Sequence, residues 1–325
     1  MLILGEIRTC LLRSSSSVRQ NVVRELLALI PGEPVRVSER PMAHAVSADV
    51  IRGVDCSLPT ESGTRSRAIG TVSGRALISA GRVLQGSVTT RIERAKFGHR
   101  LAWPHYLSRP GVVEMIGKAS ATDVAEGFLA KKPSAATLDL GAVCESIISE
   151  VQLHPGMDHD FPFQSARTAM RWAALGSDDG SEGHVTFGVE SDTLRSFFVS
   201  VPENDLPSVV RFCEDVALHD WVLTTLLRLV ERSGLGSGGG DEVVRRLGPA
   251  VEHVMHVWMP GFHVPDSMLP LWRALERRAG FSLQREATVN RIRDLLTMRS
   301  VLAKYEADQV RLGGQRQSGG VGAQT

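Results

Sequence analysis

Cysteine pairs, long apolar runs, aromatic residues and an excess charge of either sign are all scarce in this 325-residue chain. Each scarcity closes off a class of function. The four cysteines, Cys10, Cys56, Cys144 and Cys213, lie far apart with no CxxC among them. That excludes the spacing of a disulfide framework or a thiolate zinc site and predicts reduced thiols in a reducing compartment. Thirty-seven basic residues against thirty-six acidic ones leave a net charge of +1, so the surface as a whole is not tuned to nucleic acid or anionic lipid. Any such role needs a local patch. No apolar run reaches the length of a membrane span. The opening MLILGEIRTCLL is short, carries Glu6 inside the run and lacks a basic start, so no secretory signal is expected. The chain reads as soluble and cytoplasmic.

What is present reads as strands early and helices late, an α+β class. LILGEIRTCLL alternates as a strand, and Ser14–Ser17 are placed to cap a helix through VRQNVVRELLALI. Residues 64–94 read as three strands, with SGR and AGR as the turns between them. GVVEMIG (111–117) is a further strand and ATDVAEGFLA a short helix. KKPSAAT (131–137) is the predicted linker. Beyond it LDLGAVCESIISEVQL has helical spacing, and ARTAMRWAAL, HVTFGVE and TLRSFFVSVP suggest a three-stranded meander. From Asn204 roughly four helices form a C-terminal bundle. The predicted division is a β-rich domain over 1–130, a meander-plus-helix domain over 138–311, and a disordered tail over 312–325.

Three patterns invite a chemical reading. In EHVMHVWMPGFH, His253, His256 and His263 lie close in sequence. On a helix His253 and His256 fall off the apolar stripe of Val244, Leu247, Val251 and Trp258, with Glu252 four residues before His256. The spacing is not HExxH, and Pro260-Gly261 break the helix before His263, so a polar face meeting solvent or a partner competes with a metal site. Asp220 lies in the middle of the apolar stripe of LPSVVRFCEDVALHDWVLTTLLRLVER. A carboxylate there requires Thr224, an arginine from another element, or a ligand. The basic stretch 63–100 holds Arg65, Arg67, Arg75 and Arg91 among eight basic residues, against Glu93 alone. A sheet face of that charge can hold phosphate or RNA, but Phe97 is its only aromatic, so a base-stacking platform is missing. The acidic loop DHD (158–160) reads as a turn. GLGSGGG (234–240) follows a helix rather than a strand and is no dinucleotide fingerprint. No cofactor is expected.

VALHDW resembles the His-Asp step of the HD-type metal phosphohydrolases, which implies a hydrolase built on His219 and Asp220. The usual glycine after the step is absent here, the only upstream histidine to serve is His184 in a strand, and helical neighbours point about 100° apart. A buried hydrogen bond that fixes helix packing is the competing reading. Over residues 1–300, LILGEIRT, VRVSERPMAHAVS, GVDCSLPT, AGRVLQG, CEDVALHDWVLTTLLRLVERS, HVWMP and LPLWRALERRAGFSLQREATVNRIRD resemble an uncharacterised actinobacterial, streptomycete-type family. That resemblance assigns no chemistry. It implies a cytoplasmic protein encoded near a variant P-loop ATPase-like protein and a methyltransferase, hence partners from that neighbourhood. The expectation is a non-catalytic interaction component of a multi-protein system. Its expected contact surfaces are the His253/His256 face and LWRALERR (271–278). The alternatives are the His219/Asp220 hydrolase and a phosphate- or RNA-binding module on the arginines.

Overall fold

The alternation of the first strand places it at the centre of the molecule. In the computed structural model, which describes residues 1–130, 134, 136–177, 183–232, 248, 256–261 and 264–318, β1 (Leu2–Leu11) pairs antiparallel on both edges. One neighbour is β6 (Val83–Arg94), the other β8 (Thr168–Ser177). Leu2, Leu4 and Cys10 face one core and Ile7 the other, the period of two expected of a strand buried on both faces.

The remaining strands are β2 (Arg36–Ser38), β3 (His44–Val46), β4 (Val50–Ser57), β5 (Ser66–Ser79), β7 (Val112–Gly117), β9 (His184–Val189) and β10 (Leu194–Pro202). All ten form one mixed sheet in the order β2-β3-β5-β7-β6-β1-β8-β10-β9, with β4 paired to β5. The fold is α+β, with its β-rich half first and helices after it. The sheet crosses the expected division at 131–137, because β8 joins β1 directly. Two pairing expectations are corrected. SGR is no turn: β5 runs fourteen residues straight through Gly74, whose absent side chain leaves room for Ile147 of a covering helix, 2.6 Å from where a Cβ would stand. The three strands after the linker lie where expected but are not a meander. β8 runs parallel to β10, and β9 pairs only on β10's outer edge.

Helices α1 (Gln20–Leu26), α3 (Ala121–Ala130) and α4 (Leu140–Gln152) cover one face, burying Val23 and Leu26, Val124 and Phe128, and Cys144, Ile147 and Ile148. The serines before α1 do not cap it; Arg19 is its N-cap and makes no side-chain bond. Asp139 does cap α4, accepting from the Ala142 N–H at 2.9 Å. The short α2 (Trp103–Leu107) lies against the other face, with Trp103 3.2 Å from a Cβ built on Gly53.

That face is closed mainly by α5 (Leu206–Arg232), with α6 (Leu269–Ala279) packed on β9 and α7 (Phe281–Ser318) against α5. The apolar stripe of α5 is buried: Val209, Phe212, Cys213 and Val216 pack on the sheet, and Leu218, Trp221, Val222 and Leu226 fill a second cluster. Leu227, toward the end of the same helix, is exposed. The LWRALERR segment turns Leu271, Trp272 and Leu275 into the core and leaves Arg273 and Arg277 outside. Helix α7 continues into the first part of the expected tail. Phe281 and Ile292 anchor it, and beyond Ile292 every side chain described is exposed.

Gly5 is the tightest point of the central strand. It stands opposite Trp172, and a Cβ there would lie 2.2 Å from the indole ring. Gly5→Ala is therefore expected to lower the urea-unfolding free energy by about 1–3 kcal/mol through overpacking. Gly98→Ala, with nothing within 4 Å, should leave the midpoint unchanged; equal midpoints for both variants would refute the account.

Candidate functional site

Asp220 obtains its partner from another element. Arg195 of β10 donates from Nε to Asp220 Oδ1 at 2.9 Å and from a terminal nitrogen to Thr224 Oγ1 at 3.0 Å. Its other terminal nitrogen donates to the Ser191 carbonyl at 2.5 Å. Burial pushes the Asp220 carboxyl up from its ordinary value, and the charge and hydrogen bond of Arg195 pull it back. The pair forms the wall of a cavity of about 510 Å³ whose other walls include Phe187, Leu223 and Phe281.

His219 turns elsewhere. The Met259 N–H donates to its Nε2 at 3.3 Å, so the proton sits on Nδ1, which donates to the Asp215 carbonyl at 2.7 Å. Its ring packs edge-on to Trp258 and Trp272, with centroids 5.0 and 5.9 Å away. Nε2 thus ties α5 to the 256–261 turn while Nδ1 is spent within α5 itself, and His219 and Asp220 face different neighbours. His184 lies at the start of β9 with Nε2 3.1 Å from Thr186 Oγ1. Of the histidine cluster, His256 is exposed in a turn, while His253 and His263 lie outside the described residues, as does 234–240. Among the described residues no three His, Cys, Asp or Glu side chains gather to hold a metal ion.

The four arginines are dispersed. Arg65 is exposed. Arg67 grips Asp55 through two nitrogens, at 2.8 and 3.0 Å, and Arg100 adds a bond to the same carboxylate at 3.1 Å. Arg91 pairs with Glu93 at 2.8 Å, and Glu93 also binds Arg109, which reaches the buried Glu114 at 2.6 Å. In the DHD loop, Asp158 accepts from both the N–H and the hydroxyl of Ser15. The Ser15 hydroxyl holds this carboxyl below the usual carboxylate range.

Arg75 lies elsewhere, under α5. Its Nε and a terminal nitrogen donate to the two oxygens of Glu214 at 2.8 and 2.7 Å. Beside it Gln85 donates to the Glu214 carbonyl at 3.0 Å and to Thr9 Oγ1 at 3.2 Å. A helix resting on an apolar sheet is here tacked down by polar bonds, and next to these bonds the face stays open. Two cavities, of about 440 and 320 Å³, meet at Arg75, Arg211 and Pro265. The sequence named only Arg75 of this group. The available signal was Glu214-Asp215 inside RFCEDVAL, two acids flanked by buried residues.

The thiols offer no nucleophile. Burial pushes all four up, Cys56 to about 11 and Cys144 and Cys213 well above their ordinary value. A thiol of that pKa is thiolate to roughly one part in a thousand at pH 8. Native protein should react with Ellman's reagent over hours rather than seconds, and denatured protein should release all four equivalents at once. Rapid reaction of one native thiol would contradict this. The ion pair gives a second expectation. Asp220→Ala strands Arg195 in the interior and should cost about 3–5 kcal/mol by chemical denaturation, whereas Asp220→Asn keeps an acceptor and should cost less.

Comparison with protein-family models, with curated proteins and with solved structures finds no match to this chain.

Proposed function

We propose that this protein is a non-catalytic interaction component of a larger assembly, and that α7 is its contact element. One observation carries this reading. Met298, Val301, Leu302 and Tyr305 recur at the i, i+3, i+4, i+7 spacing of an apolar stripe, and each is about half exposed or more. Helix α7 is 38 residues long, about 57 Å at 1.5 Å per residue. Its described side chains are held in the core only as far as Ile292. A helix draws most of its stability from burying an amphipathic face, so a stripe of this kind is completed by a partner.

The occupant is a partner protein's amphipathic helix with acidic flanks. Residues 281–318 carry seven basic residues against four acidic ones, so a second copy of the same helix meets net repulsion while an acidic helix meets attraction. The engaged state of the ionisable groups described above supports a binding role over a catalytic one. His219 has both nitrogens committed, Asp220 is bound by Arg195, and Arg67, Arg75 and Arg91 each hold a carboxylate.

The test is a tagged pull-down from an actinobacterial lysate, the source the family resemblance implies, run beside Met298→Asp/Leu302→Asp. The expected result is a stoichiometric partner, cross-linked within 298–305, that the variant loses while keeping the wild-type melting temperature. No stoichiometric partner, a partner held equally by the variant, or self-association alone would each overturn the reading.

A further inference from the structure

On the face that α5 covers, the helix rests chiefly on β1 and β8, and the ground toward β2, β3 and β5 is left open. We propose that the two-lobed cleft there, floored by β5 and β6 and walled by β2, β3 and the first half of α5, binds a small hydroxylated organic anion, a sugar phosphate or sugar acid. The anionic group sits against Arg211 and Arg36, and the hydroxyls reach Asp215 in one lobe and Ser87 in the other. This inference does not involve α7 and stands apart from the reading above.

The lobes, of about 440 and 320 Å³, together have the size of a small-molecule site. Their chemistry is unevenly finished. Arg75 is fully matched by Glu214 and serves as a wall. Arg36 and Arg211 line the first lobe, Arg211 lines both, and each is exposed at the mouth without a hydrogen-bond or ion-pair partner among the described residues. The acids of the lining are Glu214, held by Arg75, Asp215, bound by the Gly261 N–H, and Asp49 in the second lobe, and neither Arg36 nor Arg211 pairs with any of them. Two such cations in one cleft favour an anion, and the planar guanidinium fork suits carboxylate and phosphate alike. The first turn of α5, through Pro207 and Ser208, borders the second lobe and adds the positive end of the helix.

Deeper in, the need is reversed. Asp215 is 2% exposed. Its Oδ2 accepts from the Gly261 N–H at 2.9 Å, while Oδ1 has no partner among the described residues. Ser87, 1% exposed and directly opposite Arg75 in the β5–β6 ladder, carries a hydroxyl that is likewise unpartnered. Buried polar atoms are almost always hydrogen-bonded, and leaving one unpaired costs stability. Here each lobe of the same cleft is lined by a residue that carries one such atom. Asp215 requires a donor and Ser87 takes either role, which hydroxyl groups supply and a bare inorganic anion does not. A ligand with an anion at one end and hydroxyls along its body fits both requirements.

The test is titration calorimetry of the whole protein with ribose 5-phosphate, gluconate and neutral ribose, repeated with Arg211→Gln and Ser87→Ala. At least one anionic probe is expected to bind with a dissociation constant below about 10 mM, and ribose at least about tenfold more weakly, since a charged hydrogen bond is lost. Arg211→Gln, at an exposed position that leaves the melting temperature unchanged, should weaken the anionic probe about tenfold or more. Ser87→Ala should weaken it less. Binding by ribose 5-phosphate alone assigns the anion as phosphate, by gluconate alone as carboxylate, and by both as either. No binding by any probe up to about 10 mM, equal binding by ribose, or an Arg211→Gln protein that binds like the wild type would overturn the proposal.

Discussion

The molecule depends on β1 being paired along both edges. Residues 2–11 meet β6 on one side, and residues 2–9 meet β8 on the other, so two stretches of chain far apart in sequence become one sheet only through this strand. Its centre carries a charge that the pairing must respect. Glu6 is 1% exposed and lies directly opposite Arg171, whose Nε is 3.3 Å from its Oε2. Arg8 binds Glu6 at 2.9 Å and passes on to Glu145 of α4 at 2.5 Å. A slip of one residue would turn Glu6 onto the opposite apolar face, so the ion network fixes the register as strongly as the hydrophobic pattern does.

The helix layers follow from that fixed sheet. Helix α4 begins over the Glu6–Arg8 pair at Gly141, where a Cβ would stand 2.3 Å from both side chains. It continues over Gly86, where a Cβ would meet the Cys144 carbonyl at 3.0 Å, and over Gly74. Glycine at these places is a matter of distance between helix and sheet. Gly70 serves a different end. Its φ of +157° and a backbone oxygen 2.2 Å from any Cβ mark the point where β5 and β6 part and β7 enters between them.

These causes explain what could be read from the sequence and what could not. Strand and helix positions were legible because the period of their apolar residues is local. Asp220's need for a partner was legible too, since a carboxylate in an apolar stripe demands one. The identity of Arg195 was not, because it depends on which strand lies beside α5, and the parallel β8–β10 pairing leaves no local trace. Gly74 misled for a related reason: SGR has the composition of a turn, and only the helix lying over it shows that the glycine makes room. The Arg75–Glu214 clamp joins residues 139 apart, and neither residue taken alone shows that the other is its partner.

Helix α5 shows how far a single element can be committed to structure and still leave a site. Asp215, His219 and Asp220 lie within two turns of it. His219 and Asp220 are each satisfied by the fold itself, through a carbonyl and an N–H in one case and through Arg195 in the other. Such groups hold the helix in place. Asp215 gives one oxygen to Gly261, and the other has no partner among the described residues. Because His219 and Asp220 fix the rotation of α5 about its axis, Asp215 is held at a set position beside the open part of the sheet. His219 and Asp220, read from the sequence as a hydrolase step, thus support the helix, and in the cleft we propose the binding chemistry falls to the neighbours they orient.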